Sequence, residues 1–298
     1  MTLVVVGSVA YDTIETPHGR VENALGGSAV HFALAAAMLG PVGLVGTVGK
    51  DLPEELLEPL RRRAVDLTGL QRKDGKTFRW SGRYSSDMNV RETLSVELNV
   101  FGEYAPELPA EYRDCKYLFL ANGSPAHQLH VLDQASGPCF AVVDTMDHWI
   151  KSSRHELSIL FKRVQGVVVN DSEARLLTGE DHVKAARKIL RMGPQYVIVK
   201  KGEHGALMVG EEGTFVIPAY PTSEVRDPTG AGDTFAGGVM GYLARAGRVN
   251  IRTLRRAVAY GTVLASFNVE DFGVRRVAAL TIEEVEARMA EFRKILAF

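Results

Sequence analysis

The run Asp227-Pro228-Thr229-Gly230-Ala231-Gly232-Asp233-Thr234-Phe235-Ala236-Gly237-Gly238 sets a nearly bare backbone directly before a carboxylate, and an apolar helical pattern follows as far as Leu243. A Gly-Ala-Gly turn lets the main chain approach a ligand closely, because little side chain stands in the way. A helix beginning at Asp233 would point its free N–H groups into that turn, where they favour a phosphate. Asp233 would then lie beside bound phosphate as a carboxylate able to take a proton. That is a phosphoryl-transfer site in outline. By spacing alone, the Gly-rich strand-to-helix turn of any α/β protein accounts for the run equally well.

The segment closely resembles the C-terminal signature of the PfkB (ribokinase-like) family of small-molecule kinases. That resemblance implies that Asp233 is the catalytic base and that Gly230, Ala231 and Gly232 form an anion hole. It extends over almost the whole chain. Gly26-Gly27-Ser28-Ala29 opens an Ala-rich helix and resembles the family's first signature, in which backbone amides approach a sugar. A helix packed tightly against a strand would use the same glycines. Three residues after the position of Ser28 the family often has a substrate-contacting Asn; here it is His31, either a substrate contact or a helix-face residue. Asp12 falls where relatives hold two sugar hydroxyls with an acid, although an Asp in a loop after a strand is usually solvated or a turn cap.

Asn170-Asp171-Ser172-Glu173 matches the family's Asn-x-x-Glu motif, which positions magnesium-bound phosphates of ATP, mostly through water. Mg²⁺ prefers oxygen ligands and keeps several waters, so the carboxylate of Glu173 and one amide oxygen are adequate. A capped helix start is compatible with the same residues. In relatives the segment of Lys200, Gly202 and Gly205 flanks the nucleotide, while a lone Lys at a strand end is more often just exposed. Asp227 resembles the acid that holds a monovalent cation, K⁺, in many relatives, with 268–273 as the partner region.

These residues need a scaffold. Short apolar runs at 3–6, 42–48, 117–120, 140–143, 166–169 and 196–200 are continuous rather than alternating, as in strands buried on both faces of a parallel sheet. Helical patterns at 28–39, 53–63, 127–134, 153–164 and 182–192 fall between them, several stopping at Gly. This order predicts a doubly wound α/β sheet, and the resemblance implies a ribokinase-like three-layer αβα sandwich over a single domain, 1–298. Segments 11–24 and 77–101 break the rhythm and read as a small antiparallel β lid. In the second, Leu94, Val96, Leu98 and Val100 alternate with polar residues, predicting one covered and one wet face. Arg79 and Arg83 share a face opposite Phe78 and Trp80, positioned either to meet phosphate or substrate oxygen or to lie in solvent.

The 298 residues, 46% hydrophobic and 24% charged, suit a soluble globular protein. Lys+Arg 35 against Asp+Glu 36 gives no electrostatic reason to expect nucleic acid or an anionic membrane as partner. No apolar run reaches the length of a membrane span, and Leu3-Val4-Val5-Val6 reads as a first strand rather than a signal peptide, so a cytoplasmic protein is expected. Cys115 and Cys139 match no metal spacing and read as buried thiols; Arg61-Arg62-Arg63 reads as a solvated helix face. Gly46–Asp51 has the wrong spacing for a P-loop, and no dinucleotide fingerprint follows the first strand.

The expected activity is therefore ATP-dependent phosphorylation of a primary hydroxyl on a small sugar-like substrate, with a nucleoside or ribosyl compound ahead of a free sugar of the ribokinase or fructokinase kind. A catalytically silent sugar- or nucleotide-binding regulator is the reading from another class, disfavoured by the intact Asp233, Asn170 and Glu173. The exposed lid edge could pair two copies as a homodimer.

Overall fold

A computed structural model describes residues 1–297; Phe298, the last residue of the expected domain, lies outside the described residues. The strands are β1 (Leu3–Val6), β2 (Ala10–Thr16), β3 (Gly19–Gly26), β4 (Val42–Gly49), β5 (Asp66–Lys73), β6 (Phe78–Tyr84), β7 (Arg91–Glu97), β8 (Tyr117–Leu120), β9 (Phe140–Asp144), β10 (Gly166–Asn170), β11 (Tyr196–Lys200), β12 (Ala206–Gly210) and β13 (Gly213–Ile217). Nine of them form one sheet in the order β13-β12-β11-β10-β9-β8-β1-β4-β5. Every pairing from β11 to β5 is parallel, while β12 and β13 return antiparallel.

The continuous apolar runs explain why this sheet is covered twice. Leu3 and Val5 pack into one apolar cluster and Val4 and Val6 into another, so each strand feeds a core on both faces. Helices Ser28–Ala37, Ala231–Ala246, Ile251–Asn268 and Ile282–Ile295 contribute to the first, and Pro125–Gln134, Arg154–Phe161, Asp171–Thr178 and His182–Leu190 to the second. The result is a three-layer αβα sandwich. On the first face helix Ala231–Ala246 approaches two others almost backbone to backbone: a Cβ on Gly237 would lie 2.3 Å from the Phe32 carbonyl oxygen. A Cβ on Gly238 would lie 2.8 Å from Cα of Gly261. The last two glycines of the opening run thus serve helix packing, not the site.

A second sheet, β3-β2-β6-β7, stands apart from the first. Two antiparallel hairpins, β2/β3 and β6/β7, are joined where β2 and β6 run side by side in parallel. The expected covered face on β7 is not found. Leu94 is 45% and Val96 47% exposed, and every residue of β7 is open, because among the described residues nothing packs over this strand. Two smaller expectations also change. Cys139 is exposed, whereas Cys115 is buried. Arg63 turns inward, its guanidinium donating to the carbonyls of Val277 and Ala278 at 3.1 Å each, which closes the end of helix Arg275–Ala279. No helix among the described residues is long and apolar enough to cross a membrane.

Candidate active site

Because the central strands are parallel, their C-terminal ends open on one edge, where open α/β sheets place ligands. Asp144 ends β9, Asn170 ends β10 and Lys200 ends β11. The start of helix Ala231–Ala246 comes up against this edge, since a Cβ on Gly232 would lie 3.0 Å from Lys200 Nζ.

That helix begins two residues before the expected Asp233. Gly230 takes a left-handed φ of 73° as N-cap, and Thr234 N–H donates to its carbonyl at 2.8 Å, closing the first turn. A side chain at Gly230 is excluded twice: by that φ, and by the His31 ring, 2.2 Å from where a Cβ would stand. Ala231 N–H donates to the Pro228 carbonyl at 3.2 Å. The amides of Gly232 and Asp233 have no backbone acceptor, and that of Asp233 meets its own carboxylate.

Asp233 lies within the first turn, partly covered. Burial pushes its carboxyl up to about 7; the Asp144 charge adds to this, and Lys200 and Arg91 oppose it. Asp12, on β2, is buried with its carboxylate folded over Gly26, where a Cβ would lie 1.9 Å from Oδ2. Burial pushes it too up to about 7, against the Gly27 amide and with added repulsion from Asp227 and Asp233. The acids expected at the substrate and at the chemistry therefore share one electrostatic neighbourhood. Ser28 is occupied differently: its hydroxyl lies 3.1 Å from that of Ser8, and its N–H donates to Ser8 Oγ at 3.0 Å. That pair pins the helix start to the chain just after β1.

His31 is buried and packed under the turn. Its Nδ1 lies 3.0 Å from Oδ1 of Asn268, which also accepts from Thr234 Oγ1 at 2.9 Å, while Asn268 Nδ2 donates to the Thr229 carbonyl at 2.7 Å. With Asn268 oriented this way, Nδ1 carries the His31 proton and Nε2 is a buried acceptor with no partner. Burial lowers the His31 pKa to about 4, against the Asn268 bond, so the ring is neutral at ordinary pH. Asp227, fully buried, accepts from Thr229 N–H at 2.8 Å and Gly273 N–H at 2.7 Å. It ties the turn to segment 268–273. Burial raises its pKa, with both amides opposing.

On the other side of the turn, Asn170 and Glu173 cap helix Asp171–Thr178 reciprocally. Asn170 N–H donates to Glu173 Oε2 at 2.7 Å, and Glu173 N–H to Asn170 Oδ1 at 2.8 Å. Ser172 Oγ also donates to Asn170 Oδ1 at 2.7 Å, so that amide oxygen is fully used. Glu173 Oε1 remains. Burial pushes Glu173 up to about 8, helped by Asp144 and opposed by Lys200. Lys200 is not the exposed strand end its type suggests: Nζ donates to Asp144 Oδ2 at 2.9 Å with 17% of the side chain exposed. Burial disfavours its ammonium, but the Asp144 and Glu173 charges outweigh burial and raise its pKa. Gly202 and Gly205, both at positive φ, form the turn from β11 to β12. A Cβ on Gly205 would lie 2.1 Å from the Ile217 carbonyl oxygen, which accounts for that glycine by packing.

The lid meets the turn directly. Thr229 Oγ1 donates to the Tyr84 hydroxyl at 3.1 Å. Arg79 and Arg83 pair with neighbours on the lid itself: Arg79 donates to Asn23 Oδ1 at 2.7 Å and stacks 4.4 Å over the Tyr11 ring, and Arg83 donates to Glu15 Oε1 at 2.9 Å. Phe78 packs on Phe101, their centroids 5.4 Å apart. Asp144 and Arg91 escape the sequence reading, and the bonds that Thr229, Tyr84 and Asn268 make around the turn are not foreseen in it. Only Asp144 left a signal, as a charge ending the apolar run 140–143. Among the described residues no group of three or more His, Cys, Asp or Glu is placed to hold a metal by itself.

A family model described as pfkB family carbohydrate kinase matches residues 1–280. The cytidine kinase of Thermococcus kodakarensis is 36% identical over 256 residues, covering 82% of this chain and 89% of that protein. Among solved structures, the Burkholderia thailandensis nucleoside kinase in complex with inosine gives a TM-score of 0.79 at 23% identity, over 97% of each chain. The Salmonella enterica aminoimidazole riboside kinase, complexed with aminoimidazole riboside and an ATP analog, gives 0.76 at 21% identity, over 97% of this chain and 100% of that one. At such identities the structures establish the fold alone.

Proposed function

The chain belongs to the pfkB family of carbohydrate kinases and is an ATP-dependent phosphotransferase, and from that premise we propose that its acceptor is a primary hydroxyl of a nucleoside or ribosyl compound. One observation carries the chemistry: Asp233, pushed up to about 7, stands in the same turn as the amides of Gly232 and of itself, neither of which has a backbone acceptor. A base with such a pKa is well matched to work near neutral pH. In this reading Asp233 takes the hydroxyl proton as the oxygen attacks the γ-phosphorus, the bond to the bridging oxygen breaks, and ADP leaves. The amides meet the charge on the transferring group, with Gly230 and Ala231 shaping the turn that aims them.

Asp12 and the Gly26-Gly27 backbone hold the acceptor, and the unpartnered Nε2 of neutral His31 accepts from one of its hydroxyls. Trp80, with its indole over Gly82, offers an aromatic face to a base. The nucleotide phosphates lie by Asn170, Glu173 and Lys200, with the turn of Gly202 and Gly205 beside the ribose. Glu173 fits a magnesium ion through water: its Oε1 is free, and its repulsion with Asp144 would be relieved by a cation. Such an ion, bound with ATP, supplies charge neutralisation between the phosphates. The exposed Val90, Leu94 and Val96 suit pairing of two lids in a homodimer.

The test is ADP release from Mg·ATP with cytidine, inosine, ribose and fructose offered in turn. A nucleoside is expected to give the highest kcat/KM. Preference for a free sugar moves the acceptor to the runner-up class, and no acceptor raising turnover above background leaves a binding protein. Potassium is a second, independent expectation. Asp227 and segment 268–273 are joined beside the turn, so K⁺ bound there should order the turn and raise turnover several-fold over a bulky organic cation. Equal rates in the two salts remove the idea.

A further inference from the structure

Asn268, the last residue of helix Ile251–Asn268, is fully buried, and its side chain joins three segments that the sequence keeps far apart. Its orientation is forced. The Thr229 carbonyl can only accept, so the amide nitrogen must face it, at 2.7 Å. The amide oxygen is thereby turned to the Thr234 hydroxyl at 2.9 Å and to His31 Nδ1 at 3.0 Å, and both of those groups must donate. One side chain thus holds the residue before Gly230, the first turn of helix Ala231–Ala246, and helix Ser28–Ala37, which begins after the acceptor-side Gly27. Thr229 is tied at its other polar groups as well, its N–H to Asp227 and its hydroxyl to Tyr84.

The His31 ring packs so closely on Gly230 that a Cβ there would lie 2.2 Å from it, so ring and turn can move only together. The ring is buried and neutral, and the bond at Nδ1 decides which nitrogen carries its single proton. We propose that Asn268 is a positioning residue for the transfer: it fixes His31 as the Nδ1–H tautomer, so that Nε2 meets the acceptor only with a lone pair, and it locks that ring to the turn carrying Asp233. This rests on the kinase reading above. A lone pair held in place suits a hydroxyl, which brings its own proton, and leaving Nε2 without a partner in the free protein keeps that place open. The same amide steadies the turn on both sides of Gly230, so the base and its neighbouring amides are aimed from the acceptor side. Asn268 itself touches neither substrate in this arrangement.

The test joins NMR of the ligand-free chain to kinetics. In protein labelled with ¹⁵N at histidine, long-range ¹H–¹⁵N correlations near neutral pH read the tautomer of each ring, and the His31 signals are those lost in His31→Phe. His31 is expected as neutral Nδ1–H in the wild type and should shift toward Nε2–H in Asn268→Leu, which keeps the volume and removes the amide. Denaturant unfolding shows that the variant is folded under assay conditions. Asn268→Leu should then lower kcat about 10²-fold, as small displacements of reacting groups do, and raise the acceptor KM several-fold. ADP affinity should stay within about threefold, whereas a merely smaller folded fraction would lower kcat and leave the acceptor KM unchanged. In a His31→Phe background, Asn268→Leu should no longer alter the acceptor KM, because the nitrogen it acts through is gone. His31 found as Nε2–H or as the charged ring in the wild type, a folded Asn268→Leu with kcat within threefold, or a fall in kcat with the acceptor KM unchanged overturns the proposal. Should Asn268→Leu fail to fold, the wild-type tautomer still decides. If the wild-type chain phosphorylates no acceptor, the acceptor reading fails, while the His31 tautomer in the free chain still settles what Asn268 sets.

Discussion

Asp233→Asn is expected to lower turnover by about 10²–10⁴-fold and, at the same time, to make the ligand-free protein more stable above neutral pH. The two effects have one cause. A carboxyl pushed from its ordinary 3.8 to about 7 keeps in the folded state a proton that the unfolded chain has released. Between those values the folded state binds more protons, so stability falls as pH rises through the window. An Asn cannot ionise and escapes this loss, fully above about pH 7 and not at all below about pH 4. The carboxylate is only partly covered, and water discounts the effect to about 1–3 kcal/mol at pH 8. Asp12, at about 7, and Glu173, at about 8, carry the same sign, so the wild-type chain should itself lose stability between pH 4 and 8. Denaturant unfolding of both proteins at pH 4 and pH 8, beside steady-state kinetics, separates the outcomes. Near-normal turnover removes Asp233 as base, and an equal stability difference at the two pH values removes the buried-charge account. Wild-type turnover should also climb as pH rises through about 7, because the base must be ionised to act.

The cradle could be read from the chain because its requirements are local. Gly230 takes a left-handed φ of 73° that favours glycine, and that constraint is written at the position itself. Likewise β1, β8, β9, β10 and β11 announce themselves through unbroken apolar runs, the mark of burial on both faces. The strands that escaped notice lie at or beside the edges. β5 carries Asp66, Gln71, Arg72 and Lys73, and β13 is mostly exposed, as edge strands tend to be. Contacts made across the sequence left no trace. His31 meets Asn268 from 237 residues away and Lys200 meets Asp144 from 56, so neither pattern nor spacing could join them. The helix start was misplaced by two residues because Gly230 was read as part of the turn rather than as a left-handed cap. The lid misled for another reason: alternation on β7 marks an apolar face but does not say what covers it.

Lys200→Met is expected to cost about 3–5 kcal/mol of stability at neutral pH, more than a change at any exposed position of the site. The methionine fills similar space, so the cost is electrostatic. Lys200 Nζ is the partner of Asp144 Oδ2 at 2.9 Å and the cation that holds down the pKa of Glu173. Asp144 is buried, and its other oxygen accepts only the neighbouring Thr145 N–H at 2.7 Å. Removing the ammonium leaves the buried Asp144 without its cation and takes away the charge that holds down Glu173, a heavier penalty than the net value of the intact pair. It follows that Asp144→Asn added to Lys200→Met should relieve the defect, although Asp144→Asn alone is destabilising. A double-mutant cycle in urea measures this coupling directly, with about 1–3 kcal/mol expected between groups in contact. Additive costs would mean that the ammonium is held by the turn at Gly232 and not by Asp144. The double variant then isolates function from folding. If Lys200 serves only to balance Asp144, restored stability should bring restored ATP affinity; if it also meets the phosphates, as its place against Gly232 supports, the stable double variant should still bind ATP about tenfold or more weakly.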